Sequence, residues 1–410
     1  MVAPKTSLEI DGTSTSLEEE EALLTQIAAE TTATVTVAGH SVGGLPIRCV
    51  RLGKAGGPAL LVVTGQHGTE IWSREGVIQF LRDVAYSEDP AVLAALDSHE
   101  VVVIPTVNPD GRGTTYNNAN NVNINRDYLT LTQPESRAVM SVVTATRPLV
   151  TYDAHEATTD AATWLHVASV RPGTHPGITA ASEALVGAIS EEITADGWTV
   201  TQYPLNNYAW ASVGNTCAGM HGVGLLGETA GSWPGSDRYV RAGLHRTACH
   251  TALSWLHENA AQLVEARAAA ALDAVASRAP VVIPDRVVTG ASGASVEPYK
   301  SAPVAGYALS QPIPPHLLEA HDISASDTFV SVQQEARAAV VALCDPESVY
   351  KAVTADRLPW PEVGGDDWEG PPLPSGVPVG ASAQIGGMRR PVLGVYRRTG
   401  GVSLPARITP

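Results

Sequence analysis

Apolar residues along this chain gather in short unbroken runs, and four of the runs end on polar clusters. Residues 59–64 (ALLVVT) lead into Gly65-Gln66-His67, and residues 101–106 (VVVIPT) into Asn108-Pro109-Asp110-Gly111. Residues 148–152 lead into Asp153-Ala154-His155, and residues 223–227 into Glu228. None of the four alternates polar with apolar, the pattern expected of strands buried on both faces. Two β-branched stretches, 33–38 and 46–52, read as further strands bounded by glycine pairs. Helical patterns occupy 17–30, with acids in the first turn, then about 70–85, 134–147 with Pro134 at the first position, and 178–195. Strands alternating with helices predict an α/β sheet covered by helices, where ligands gather at strand ends.

The later chain is less regular. Residues 236–277 form an Ala-rich stretch of helix formers, read as one helix or two. A strand is expected at 281–288 and a helix at about 331–343. Between 359 and 380, 11 of 22 residues are Gly or Pro, which predicts a linker or extended arm. The division expected is a catalytic body over 1–280, an extension or small subdomain over 281–350, and an appendage over 351–410 that wraps the body or meets a protein partner or a second copy.

Composition narrows the function classes. With 26 Lys+Arg against 42 Asp+Glu the net charge is −16, which argues against a nucleic-acid binder that displaces counterions with basic surface. No apolar run approaches the ~20 residues of a membrane helix, and the first residues show no apolar signal segment. The four cysteines (Cys49, Cys217, Cys249, Cys344) are far apart, which argues against a disulfide scaffold or a thiolate zinc cluster. A cytoplasmic protein is the default reading.

Chemistry concentrates at the strand ends. His67 and Glu70, three apart where a strand leads into a helix, can face one cation, and zinc accepts imidazole nitrogen and carboxylate oxygen. His155 stands at an equivalent strand end and offers a third ligand. His166, His221, His245, His250 and His257 lack that pattern, and the last three fall in the long helix as surface or packing residues. Glu228 ends a further strand, where a carboxylate can act as base toward a metal-bound water. The segment 108–128 is polar, with six Asn between 117 and 125, and carries Arg112 and Arg126, guanidinium groups suited to a carboxylate or a developing oxyanion.

Taken in order, HxxE after a strand, NPDG, Asn-Arg, a strand ending in His and a strand ending in Glu resemble the zinc carboxypeptidase family over roughly residues 15–260. The short spacing from Glu70 to His155, and the form DxHE, look most like the compact murein-peptide amidases and the succinylglutamate desuccinylase and aspartoacylase branch. The resemblance implies a mixed, mostly parallel sheet of about eight strands between helices. It implies zinc on His67, Glu70 and His155, Glu228 as general base, and Asn125-Arg126 as the pair that holds a substrate carboxylate. Arg112 is the candidate to polarise the scissile carbonyl, although relatives often carry an arginine where this chain has Tyr116. Asn123 stands where an aspartate is common. Tyr203, Tyr208 and Tyr239 are the candidates for the mobile tyrosine that caps the substrate. The function implied is zinc-dependent hydrolysis of a peptide, with cell-wall peptides among the candidates, at a free carboxylate. The alternatives are a deacylase or amidase for N-acyl amino acids, and a bacteriophage virion or assembly protein carrying this domain.

Overall fold

The computed structural model describes residues 3–157, 164–168, 174–202, 212–230, 237–277, most of 281–359 and two short strands within 382–391. In chain order these begin with α1 (Ser7–Ile10), α2 (Leu17–Glu30), β1 (Thr34–His40), β2 (Pro46–Gly53), β3 (Ala59–Thr64), α3 (Ile71–Ala85), α4 (Pro90–Ser98) and β4 (Glu100–Ile104). A short 3-10 turn (Ile124–Arg126) precedes α5 (Pro134–Thr146), β5 (Val150–Ala157), β6 (Trp164–Ala168), α6 (Pro176–Ala195), β7 (Val200–Gln202), α7 (Val213–Gly219), β8 (Val223–Ala230) and α8 (Arg238–Ala276). Then come β9 to β12 (Val281–Ile283, Val287–Gly290, Gly293–Val296, Lys300–Ala302), β13 (Val304–Leu309), α9 (Pro315–His321), β14 (Phe329–Ser331), α10 (Arg337–Cys344) and β15 (Ala355–Pro359). The chain divides into two compact units, 1–361 and 362–410, and the second contains an antiparallel hairpin of β16 (Ser382–Ile385) and β17 (Met388–Pro391).

The mixed, mostly parallel sheet expected from the sequence is present. Its body runs β1-β2-β4-β3-β5-β8, and β6 and β7 pair beyond β8. The central β4-β3-β5-β8 pairs are parallel, so these four strands release their chains at one edge. β3 shows why its run is unbroken. Leu60 and Val62 enter a core with Phe80 and Leu81 of α3 and Leu253 and Leu256 of α8, while Leu61 and Val63 enter a second core with Val139 and Val143 of α5. Both faces are dry, so no polar position is tolerated.

Local signals set the helix ends. Ser16 and Glu19 form a reciprocal capping box at α2, and Asp89 with Pro90 starts α4. Pro134 is the first residue of α5, as expected. The Ala-rich stretch is a single helix of 39 residues, α8, capped by Asp237. The strand expected at 281–288 is instead split into β9 and β10, and the helix expected at 331–343 is displaced to α10, which begins at Arg337. The side chains of β13, α9, α10 and β15 share the α5-side core. The Gly/Pro-rich stretch 360–380 lies outside the described residues. Among the described residues no helix is long and apolar enough to cross a membrane, and all four cysteines are buried and outside any disulfide.

Candidate metal centre

The site is built where β3 and β5 end. After Thr64 the chain turns at Gly65, whose φ of 66° is the left-handed region that suits glycine. The turn delivers Gln66 and His67, and Glu70 stands at the N-cap position of α3. Glu70 does not cap its own helix; its carboxylate faces His67 and His155 instead. Glu156 takes over that duty, accepting from the backbone N–H groups of Trp72 (2.5 Å) and Ser73 (3.1 Å) and pairing with Arg241. Alternation along β5 explains the division: Asp153 and His155 point to one face and Glu156 to the other.

His67, Glu70 and His155 are buried, and one ligand atom from each lies within 4.8 Å of the others. His67 Nδ1 is 2.7 Å from Glu70 Oε1, His155 Nδ1 is 2.8 Å from Glu70 Oε2, and the two Nδ1 atoms are 3.1 Å apart. The far side of each ring decides what this means. His67 Nε2 lies 3.0 Å from Asn123 Oδ1, an oxygen that also accepts from the Asn125 backbone N–H. His155 Nε2 lies 2.8 Å from the Asp153 carboxylate. With the two Nε2 atoms directed outward, both Nδ1 atoms turn inward, toward each other and toward a carboxylate. Three such ligand atoms converging in a dry space favour a positive charge among them, whether a proton or a metal cation.

The proton equilibria report the same demand. Burial opposes charge on Glu70, yet the two histidines hold its pKa down at about 2. Burial likewise opposes charge on His155, and Asp153 and Glu70 overcome it, raising its pKa well above the ordinary value. Two imidazoles and one carboxylate are the donor set of catalytic zinc sites, which keep a fourth position for water. The residues fit the metal.

Behind the ligands lies a hydrogen-bonded floor. Tyr128 donates to Gln66 Oε1 at 2.7 Å, Gln66 Nε2 donates to Asp153, and Asn125 Nδ2 donates to Asp153 Oδ2 at 3.0 Å. Such partners orient ligands and set their basicity. On the opposite side of the sheet, His245 of α8 donates from Nε2 to the His155 carbonyl (2.9 Å) and accepts from Tyr152 at Nδ1 (2.7 Å). Burial holds its pKa down at about 3, so the ring stays neutral. His245, read in the sequence as a surface or packing residue, is thus packed against the ligand strand.

Glu228 pairs in register with His155 across β5 and β8, so both side chains leave the same face. Burial pushes its carboxyl up to about 7; His155 and Arg126 oppose the shift, while Glu70 and Asp153 add to it. Arg126 is exposed and donates to its neighbour's carbonyl, Asn125 O, at 2.7 Å. Asn125 is buried: its amide also lies 2.9 Å from His155 Nε2, and its Oδ1 accepts from Val213 N–H. The pair therefore separates, with Asn125 under the ligands and Arg126 at the surface.

Arg112, the candidate oxyanion arginine, is held by the N-terminal segment and lies near Glu75. Its guanidinium donates to Thr15 O and to Ser14 Oγ and lies 3.9 Å from Glu75. Arg74, also bound to Thr15 O, pairs with Glu20 in the same cluster. Desolvation and the nearby Arg74 charge pull the Arg112 pKa down to about 10. Tyr239 is half exposed at the start of α8, whereas Tyr203 and Tyr208 lie outside the described residues. Sequence reasoning missed Asp153, Gln66 and Glu156 as supports. For Asp153 a signal existed, since two residues before a ligand on a strand is the same face.

Comparison with known proteins gives a consistent picture. The sequence profile described as zinc carboxypeptidase matches residues 20–147. Carboxypeptidase SOL1 of Arabidopsis thaliana is 31% identical over 121 residues, which is 25% of this chain and 25% of that protein, so the match spans about a quarter of its length. Among solved structures, a metallo-carboxypeptidase from Burkholderia cenocepacia aligns with a TM-score of 0.53 at 20% identity, covering 60% of this chain and 70% of the other. A Pseudomonas aeruginosa metallo-carboxypeptidase in complex with (2-guanidinoethylmercapto)succinic acid aligns with a TM-score of 0.50 at 20% identity, covering 61% and 70%. At these identities the structural likeness is one of fold.

Proposed function

We propose that this chain is a zinc carboxypeptidase, on the match of residues 20–147 to that family's profile, and that it hydrolyses a peptide bond next to a free carboxylate. The observation that carries the proposal is the inward convergence of His67 Nδ1, Glu70 and His155 Nδ1, with every outward ring nitrogen held by an acceptor. Zinc bound there supplies Lewis acidity and a water acidified toward pH 7.

The remaining steps belong to side chains of this protein. Glu228 stands beside His155 and accepts the proton of the attacking water, then returns it to the leaving amine, so that one water is consumed and one amide becomes an acid and an amine. Asn123 and Asp153 hold the two imidazoles in the tautomer that presents Nδ1. Arg126, exposed and close enough to Glu228 to act on its charge, pairs with the substrate carboxylate. Arg112, committed to Thr15, has no part in this scheme.

Metal analysis of the purified protein tests the reading. Wild type is expected to hold about one zinc per chain, and His155→Ala to lose it. A wild type that takes up no zinc, even after incubation with the metal and mild dialysis, would sink the proposal. A second expectation concerns substrate. Arg126→Ala should raise KM by about 10–100-fold for a peptide with a free C-terminus, the size of a lost charged hydrogen bond, and leave its amidated counterpart unaffected. An unchanged KM for the free peptide, or preferential cleavage of N-acyl amino acids by wild type, would favour the deacylase reading.

A further inference from the structure

Tyr116 lies in the Asn-rich loop, and its ring stacks on that of His67 with centroids 3.8 Å apart and planes only 14° from parallel. Tyr116 is 45% exposed, a large aromatic residue left partly in water at the edge of a buried site. The loop is registered to the ligand segment by backbone bonds: Gly68 N–H donates to Tyr116 O at 3.2 Å, and Gly113 N–H donates to Gly68 O at 2.7 Å. Tyr116 is therefore fixed against the residue that follows His67, and its ring covers one face of the imidazole.

That face needs a support. The in-plane partner of His67 is Asn123 Oδ1, a neutral acceptor already shared with the Asn125 N–H. The contacts at Nε2 with Asn123 and at Nδ1 with Glu70 set the direction of the ring but leave it free to turn about the line that joins them. On the other ligand, Asp153 supplies a full charge, and Gln66 and Asn125 crowd the same nitrogen. His67 has no equivalent set. A near-parallel aromatic ring, its centroid 3.8 Å away, blocks the turn that these two contacts allow.

We infer that Tyr116 is a positioning residue of the metal centre, holding the His67 ring in the plane that turns Nδ1 toward Glu70 and His155. This assignment rests on the reading of His67, Glu70 and His155 as zinc ligands. The aromatic face performs the task, so phenylalanine is an adequate substitute and an aliphatic residue is not.

The test uses the full chain stripped of metal. Zinc affinity is measured by competition with a chromogenic chelator, and the His67 ring signals are followed by NMR in the metal-free protein. Tyr116→Ala is expected to weaken zinc binding by about three- to tenfold and to remove the ring-current displacement of the His67 signals. Tyr116→Phe should keep both. Should Tyr116→Ala fail to fold, Tyr116→Leu, which keeps an apolar side chain but no aromatic face, takes the same measurements. Wild-type affinity in the alanine or leucine variant overturns the inference, and so does an equal loss in Tyr116→Phe. If wild type binds zinc, His155→Ala does not and Tyr116→Ala matches wild type, only the inference falls. If wild type binds none, the metal reading falls with it.

Discussion

Glu228→Gln is expected to lower kcat/KM for peptide hydrolysis by ~10²–10⁴-fold, the contribution typical of a positioned general base. Glutamine keeps the shape of the side chain and its ability to accept a hydrogen bond, but it cannot take a proton. Zinc content should be unchanged, because Glu228 is not in the His67, Glu70, His155 group. The wild-type pH profile carries the same signature. The carboxyl is pushed up to about 7 chiefly by burial, so the basic form is present above that value and is lost as pH falls through it. A cation on the neighbouring ligands favours the carboxylate, so the acid limb should have its midpoint no higher than about 7. Activity of the glutamine variant within tenfold of wild type, on protein shown to hold zinc, would remove Glu228 from the mechanism.

Gly68→Ala should damage fold and site together. A Cβ at this position would lie 2.1 Å from Gly111 O and 2.5 Å from Thr115 O. Both are backbone atoms of the loop that is itself bonded to Gly68, through Gly113 N–H and Tyr116 O, so no flexible side chain can swing aside. The two segments must part, at a cost of about 3 kcal/mol for overpacking without relief. Because His67 sits on one segment and Tyr116 and Asn123 on the other, parting them also loosens the ligand. Zinc affinity is expected to fall by about 10–100-fold, the range seen when the partners of a ligand are lost. Thermal melting and zinc competition on one sample check both effects, and a variant matching wild type in both would show that the close approach is not needed.

His67, Glu70 and His155 were legible as a metal group because the two histidines follow unbroken apolar runs, Glu70 lies three residues after His67, and parallel strands carry such ends to one edge. The helices α2 and α5 were legible for a related reason, since first-turn acids and an N-terminal proline are local signals. The surroundings of Arg112 and Asn125 were not legible. These depend on chain that is distant in sequence: Arg112 binds Thr15, 97 residues away, and Asn125 binds Asp153 and Val213. A polar loop carries no periodicity from which such partners follow. Glu156 was hidden in another way, as its task is to cap a helix 83 and 84 residues earlier in the chain.

That cap has a further consequence. Through Glu156, β5 holds the first turn of α3 and with it Glu70, while the residue before, on the other face, is the ligand His155. The separation of two ligands is thus fixed at a single joint between one strand and one helix end. The length of chain that runs from α3 round to β5, or onward from β5 to β8, does not enter it. Insertions and deletions in those connections can accumulate over evolutionary time without disturbing the centre. One residue added between Asp153 and Glu156 would exchange the faces of the strand and dismantle it.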